Sequence, residues 1–347
     1  MKETTEIKEI IQLQKKIVPE IQDILERRYN ILKNIYVMQP IGRRGLSNKL
    51  SIGERIIRGE VEVLKNQNLV EVSKVGMSLT NEGKHVVESL QEFIYILHDI
   101  DNMEERLEKK LGITKVKIVP GSIENQYILS DMGKIAANIT HEYIQDNTII
   151  GVTGGTTMEA VSKGITRPTK KKNVIVVPAR GGIGGRVERQ SNTIAATMAK
   201  GLGCQYELLH ASDTLGEQAL ESILKDPEIK KVTDIIKAVD ILIFGIGRAD
   251  EMSKRRELGT DTIKKLNERG AVAEAFGYYF NKDGEIVYEM KTVGISFKEF
   301  TKVDVAIAVA GGAKKAEAIA TIAKLKKSMI LVTDEVAALE ILIYLLL

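Results

Sequence analysis

The sequence predicts an α/β protein in three parts: an N-terminal winged helix-turn-helix, a helical linker, and a C-terminal body on a Rossmann-like parallel sheet. Three observations carry this expectation. Near the N-terminus, short helical patterns rich in Arg and Lys end in a hairpin of period two. Beyond Gly112, apolar runs the length of strands alternate with helical patterns, which indicates a parallel sheet covered on both faces. Between two such elements lies Gly151-Val-Thr-Gly-Gly-Thr-Thr157, where an apolar strand gives way to a helix.

The chain has 347 residues and 44% hydrophobic content, enough for two domains with real cores. Cys204 is the only cysteine, so no internal disulfide can form, and a reducing, cytoplasmic setting fits. No early segment has the charged-then-apolar order of a signal peptide. The apolar stretch Leu339 to Leu347 is too short to span a bilayer and reads as a buried final helix. Net charge is only +3, but residues 27–84 hold eleven Lys or Arg against five Glu and no Asp. A basic head on a slightly acidic body is the asymmetry of a chain whose one end meets a polyanion.

The head (residues 1–85) opens with an amphipathic helix from Thr5 to Arg28, followed by a helical pattern from Tyr29 to Gln39. A turn at Pro40 to Arg44 leads into a helix with Leu46 and Leu50 inward. Ser51-Ile-Gly53 breaks it, and Glu54 to Gln67 forms the next. There Ile57, Val61 and Leu64 make one buried stripe, while Arg55 and Arg58 project from the first turns. A recognition helix requires this arrangement, because its N-terminal residues enter the major groove. Arg43, Arg44 and Lys49 are candidates for phosphate contacts, which position without reading sequence. The strands around Leu69 to Val72 and Met77 to Leu79 make a wing with Lys74 at its tip.

Thr80 opens a long helix reaching about Leu111, which supplies the linker (residues 86–111). Leu90, Phe93, Leu97, Ile100, Leu107 and Leu111 follow a coiled-coil spacing, interrupted by Glu104, and predict a dimer seam.

The body (residues 112–347) is expected to place strands at Val116–Val119, Thr148–Val152, Val174–Val177, Tyr206–Leu209, Ile241–Gly245, Val305–Ala310 and Met329–Thr333. In such sheets ligands bind at the C-terminal strand ends. Four of these ends carry glycine, and three are followed closely by Arg or Lys. Adjacent glycines, threonine hydroxyls and a helix N-terminus together suit a phosphate. The glycine turn lacks the Gly-x-Gly-x-x-Gly frame of dinucleotide sites and the Gly-Lys-Thr ending of an ATPase. No Cys/His spacing suggests a metal, and the four histidines lie away from the glycine turns in sequence.

With these residues in view, the chain resembles the SorC family of transcriptional repressors, and within it the regulators of central glycolytic genes. The resemblance rests on Pro40-Ile-Gly-Arg-Arg44, Glu54-Arg-Ile-Ile-Arg-Gly-Glu60, Val152-Thr-Gly-Gly-Thr-Thr157, Val177-Pro-Ala-Arg-Gly-Gly182, Glu274-Ala-Phe-Gly-Tyr-Tyr-Phe280, Ala308-Val-Ala-Gly-Gly312 and Lys315-Ala-Glu-Ala-Ile319. It implies a non-enzymatic repressor of a glycolytic operon that binds double-stranded operator DNA as a homodimer or a dimer of dimers. Fructose 1,6-bisphosphate is the implied inducer, with no cofactor. The body would share the fold of sugar-phosphate isomerases and glucosamine-6-phosphate deaminase.

By the same resemblance Gly154, Gly155, Thr156 and Thr157 hold one phosphate beside Lys315. Arg180 and Arg255 add positive charge, and Gln190 and Glu274 meet sugar hydroxyls. Ala313-Lys314 departs from the small polar residues expected before Lys315. Inducer would order the glycine-rich segment Arg180 to Gly185 and so loosen the hold on DNA. Two alternatives stay open: an isomerase- or deaminase-like enzyme with an added DNA-binding head, using Glu274 or Asp250 as base, and an activator rather than a repressor.

Overall fold

The computed structural model describes residues 2–182, 186–213 and 217–346. The chain divides into two compact units, Met1–Met103 and Glu104–Leu347.

In the first unit, α1 (Lys2–Ile17) and α2 (Glu20–Met38) are separate helices. The expected boundary between Arg28 and Tyr29 is absent. The break falls at Pro19, which lacks an N–H and clashes with the carbonyl four residues back. Next come α3 (Arg43–Leu50) and α4 (Glu54–Asn66), then the antiparallel hairpin β1 (Val70–Ser73) and β2 (Gly76–Leu79). Ile31, Leu32 and Ile35 of α2, Leu46 of α3, Ile57, Val61 and Leu64 of α4, and Met77 share one core. The winged helix-turn-helix is therefore built on the stripe read from the sequence. α5 (Asn81–Leu97) follows, N-capped by Thr80, whose hydroxyl accepts from the Gly83 amide at 2.9 Å. A side chain at Gly83 would meet the Leu69 carbonyl oxygen at 2.1 Å, so the hairpin lies directly on the first turn of α5.

The linker is not one helix. α5 stops at Leu97, Asp99 turns left-handed (φ 52°), and α6 (Ile100–Leu111) begins anew. His98 lies 3.3 Å from Glu26 of α2 at this break, and its imidazole lowers the pKa of the Glu26 carboxyl. Leu90, Phe93 and Leu97 pack into the head core, and Leu107 is buried. Much of the expected dimer seam is thus spent within the chain. Glu104, which interrupts the seam, is itself buried against β3 (Lys115–Val119), an edge strand of the main sheet. Its Oε1 accepts from the Ile118 amide at 2.9 Å and its other oxygen from Lys117, while Glu108 accepts from the Val116 amide at 2.9 Å. Two carboxylates four residues apart on α6 therefore satisfy alternate outward amides of an open sheet edge.

The second unit continues with α7 (Gln126–Tyr143), β4 (Ile149–Val152), α8 (Thr156–Gly164), β5 (Ile175–Pro178), α9 (Ser191–Leu202), β6 (Gln205–Tyr206), α10 (Glu217–Ile223), α11 (Pro227–Lys237) and β7 (Ile241–Phe244). Then come β8 (Gly247–Arg248), α12 (Ala249–Arg255), α13 (Thr260–Glu268), β9 (Ala271–Ala275), β10 (Tyr278–Asn281), β11 (Ile286–Glu289) and α14 (Phe297–Lys302). The last elements are β12 (Val305–Val309), α15 (Ala316–Ala323), β13 (Met329–Asp334) and α16 (Glu335–Tyr344).

The main sheet runs β3-β13-β12-β7-β4-β5-β6, all parallel. These are the seven strands expected from sequence, with the fourth shortened from Tyr206–Leu209 to Gln205–Tyr206. Ile150 and Val152, Ile241 and Ile243, Ile307 and Val309 share a core with α7, α8 and α9. The alternating residues Leu242, Phe244, Ala306 and Ala308 are buried too, so both faces are covered. The second sheet, β11-β10-β9-β8, is antiparallel and was not expected. Its central strands are joined by only Phe276 and Gly277, and the sequence shows a single apolar stretch there. α16 corrects another expectation: Ala337, Ala338, Ile341 and Leu342 are buried, whereas Leu339, Ile343 and Leu346 are exposed. Among the described residues no helix is long and apolar enough to cross a membrane.

Candidate functional site

Strand order in the main sheet reverses between β4 and β7, and a crevice opens there beyond the carboxyl ends of the strands. The loop Thr153 to Gly155 leaves β4, Gly245 to Gly247 leaves β7, and both line a cavity of ≈ 150 Å³. Gly154, Gly155, Thr156, Thr157, Arg180, Gln190, Arg255, Glu274 and Lys315 all line it, so residues spread over more than 160 positions meet in one place.

At one end stands the N-terminus of α8. Gly155 caps it at φ 124°, a conformation that side chains avoid, and supplies no side-chain acceptor. The first helical bond runs from the Glu159 amide to the Gly155 carbonyl at 2.9 Å. The amides of Thr156, Thr157 and Met158 precede it and have no intrahelical acceptor. With the helix dipole they make an arrangement whose chemistry suits an anion. The Gly155 amide, expected to join them, instead donates to the Arg189 carbonyl at 2.9 Å. Gly245 lies against this end, since a side chain there would meet Thr157 Oγ1 at 3.3 Å. Lys315 reaches in from the turn after β12 and donates to the Ile246 carbonyl at 2.8 Å. Burial lowers the pKa of its ammonium, opposed by Glu251 and Glu274, and an anion bound beside it would reverse that effect.

Arg180 is not a free cation. Its Nε and Nη2 donate to the two oxygens of Asp213 at 3.1 and 2.7 Å. Arg256 donates Nη1 to the same carboxylate and Nη2 to Glu274 Oε1 at 3.0 Å, and Glu274 Oε1 also accepts from the Gly277 amide at 2.8 Å. Gly277, at φ 91°, leaves the room Arg180 needs: a side chain there would stand 2.2 Å from Nη1. Burial lowers the pKa of the Arg180 guanidinium despite Asp213, although an arginine keeps its proton. Burial also opposes the charge of Arg256, but Glu274 and Asp213 outweigh it and raise its pKa.

Arg255, by contrast, is exposed and forms no ion pair among the described residues. Arg186 and Arg189 also line the cavity, each beside one carboxylate, Glu188 at 3.6 Å and Glu159 at 3.4 Å. Sequence reasoning missed Asp213, Arg256, Arg186 and Arg189; none lies in the glycine turns that drew attention. No histidine lines the cavity, and Asp250, offered as a possible base, pairs with Arg248 at 2.6 Å outside it. Ile183, Gly184 and Gly185 of the expected ordering segment lie outside the described residues.

In the head, Arg55 and Arg58 are exposed on α4, off the stripe of buried Ile57, Val61 and Leu64. Glu60 on the flank of α4 is held by Arg27 at 3.0 Å and Arg28 at 2.8 Å, which tethers the helix to α2. Arg44 is exposed near Glu54, and Lys74 is exposed at the hairpin tip. Arg43 and Lys49 are half-buried, and the Nε of Arg43 is enclosed.

The chain matches two family models. Residues 97–343 match the "Putative sugar-binding domain" family and residues 24–94 the "CggR N-terminal DNA binding domain" family. It is 40% identical over 335 residues to the central glycolytic genes regulator of Bacillus subtilis, covering 96% of this chain and 98% of that protein. The regulator of the same name from Priestia megaterium is 39% identical over 337 residues, again covering 96% and 98%. A solved "putative SorC family transcriptional regulator" from Enterococcus faecalis is 35% identical, with a TM-score of 0.66 over 70% of this chain and 99% of that one. A DNA-binding head, a sugar-binding body at the switch point of a parallel sheet, and near-full-length relatives agree. The chain belongs to the central glycolytic genes regulator family of SorC-type, DNA-binding transcriptional regulators.

Proposed function

We propose that this chain represses a glycolytic operon in the cytoplasm and leaves its operator when fructose 1,6-bisphosphate, or a related sugar phosphate, fills the cavity. The observation that carries the reading is the pairing of an uncapped helix N-terminus and Lys315 with a separate, unpaired cation, Arg255, on one cavity. Two anion receptors on one crevice suit a ligand with two negative ends. Gln190 and Glu274 would meet its hydroxyls. The head would read the operator through Arg55 and Arg58, with Arg44, Lys74, Arg43 and Lys49 toward the backbone. A homodimer, paired again on long operators, supplies two recognition helices for two half-sites.

Ligand phosphate that claims the Gly155 amide displaces the Arg189 carbonyl, and so moves the turn Val187–Arg189 that carries it. Linkage requires operator DNA to weaken ligand binding by the same factor, typically about 5- to 150-fold. The test is a gel shift on the DNA upstream of the chain's own gene, titrated with fructose 1,6-bisphosphate. Release of the DNA is expected. A complex indifferent to every sugar phosphate, or turnover of the sugar, would overturn the reading. Arg58→Ala should cost about 1–3 kcal/mol of operator discrimination while calorimetry shows ligand affinity unchanged.

A further inference from the structure

Behind the cavity stand four charges removed from water: Arg180 at 4% exposure, Asp213 at 1%, Arg256 at 6% and Glu274 at 4%. Two guanidinium groups face two carboxylates, so the cluster is electrically balanced. Asp213 is its centre, taking two hydrogen bonds from Arg180 and one from Arg256. A guanidinium gripped at two positions by a buried carboxylate has little field left for a phosphate dianion. Glu274, 3.6 Å from Arg180 Nη1, would repel one further. Yet Arg180 lines the cavity, and its enclosed Nη1 has no hydrogen-bond acceptor within the cluster. A donor of that kind, in a neutral cluster, is matched by an uncharged oxygen.

Resting on the reading of the cavity as a sugar-phosphate site, we propose that Asp213 is a positioning residue that sets the class of ligand. By neutralising Arg180 and fixing its orientation, it turns that guanidinium from a counter-ion into a reader of hydroxyl groups. The ligand is then a polyol phosphate whose charged ends lie at α8 and at the Arg255 rim, with its hydroxyl-bearing carbons against the cluster. Arg180 thereby loses the phosphate-binding part that family resemblance implied for it.

Titration calorimetry of the full chain with inorganic phosphate, fructose 6-phosphate and fructose 1,6-bisphosphate tests this. Asp213→Asn leaves Arg180 uncompensated, and affinity for inorganic phosphate should rise at least about tenfold. The preference for fructose 6-phosphate over inorganic phosphate should shrink in the same variant. The paired change Asp213→Asn with Arg256→Gln restores charge balance without the Asp213 carboxylate. Phosphate affinity should then return to the wild-type level while the sugar preference stays low. Equal changes for all ligands in Asp213→Asn would mark Asp213 as merely structural and overturn the proposal. Should Asp213→Asn fail to fold, the paired variant decides alone: a retained sugar preference overturns the proposal. Wild-type protein that binds phosphate but no sugar phosphate would instead sink the reading of the cavity. The phosphate gain in Asp213→Asn would still decide whether Asp213 neutralises Arg180.

Discussion

Gly133→Ala is expected to lower the stability of the body by about 2 kcal/mol and to weaken ligand binding with it. Gly133 sits where α7 crosses α8. A Cβ there would stand 2.4 Å from the Ala160 carbonyl oxygen and 2.5 Å from its carbon, both backbone atoms of α8. Gly164 completes the seam from the other side, its own added Cβ meeting the Gly133 carbonyl oxygen at 2.7 Å. Backbone cannot step aside as a flexible side chain can, so the helices must part by roughly 1 Å to reach ordinary contact. Overpacking of this kind costs on the order of 3 kcal/mol, against about 1 kcal/mol gained from the better helix propensity of alanine. Because the proposed anion receptor lies at the N-terminus of α8, displacing this helix would misplace the amides of Thr156 and Thr157. Urea unfolding and calorimetry with fructose 1,6-bisphosphate check both halves. A variant as stable and as tightly liganded as wild type would show that the crossing tolerates a methyl group.

Arg256→Met should cost more, about 3–5 kcal/mol, because it strips one partner from a buried ionic cluster and leaves a net negative charge out of water. Glu274 would keep only the Gly277 amide and the longer contact with Arg180. Adding Glu274→Gln rebalances the cluster and should recover part of the loss. Denaturant midpoints of the single and paired variants measure this, and a paired variant less stable than Arg256→Met would contradict the charge-balance account.

Much of this architecture is legible because its causes are local. The stripe Ile57, Val61, Leu64 marks a helix face by spacing alone, and apolar runs such as Ile241 to Phe244 mark strands buried on both sides. The start of α8 could be read for the same reason, since Gly155 stands at a strand-to-helix turn with a φ that favours glycine. Asp213 and Arg256 could not. Nothing beside them in sequence says that a loop after β6 and the residue after α12 will meet Arg180 in the interior. The break in the linker at Asp99 was not legible, because heptad spacing records that a face is buried and not whether the helix is continuous or what buries it. Leu90 and Leu97 satisfy the pattern by packing on the head.

The carboxylates on α6 have a consequence for solubility. An open strand such as β3 offers unpaired amides to any passing extended segment, and natural proteins block such templates to avoid runaway fibre growth. Here Glu104 and Glu108 already hold the Ile118 and Val116 amides, so an incoming strand would have to displace two charged acceptors. The helix that leads out of the head thus also acts as a gatekeeper against amyloid-like pairing between copies.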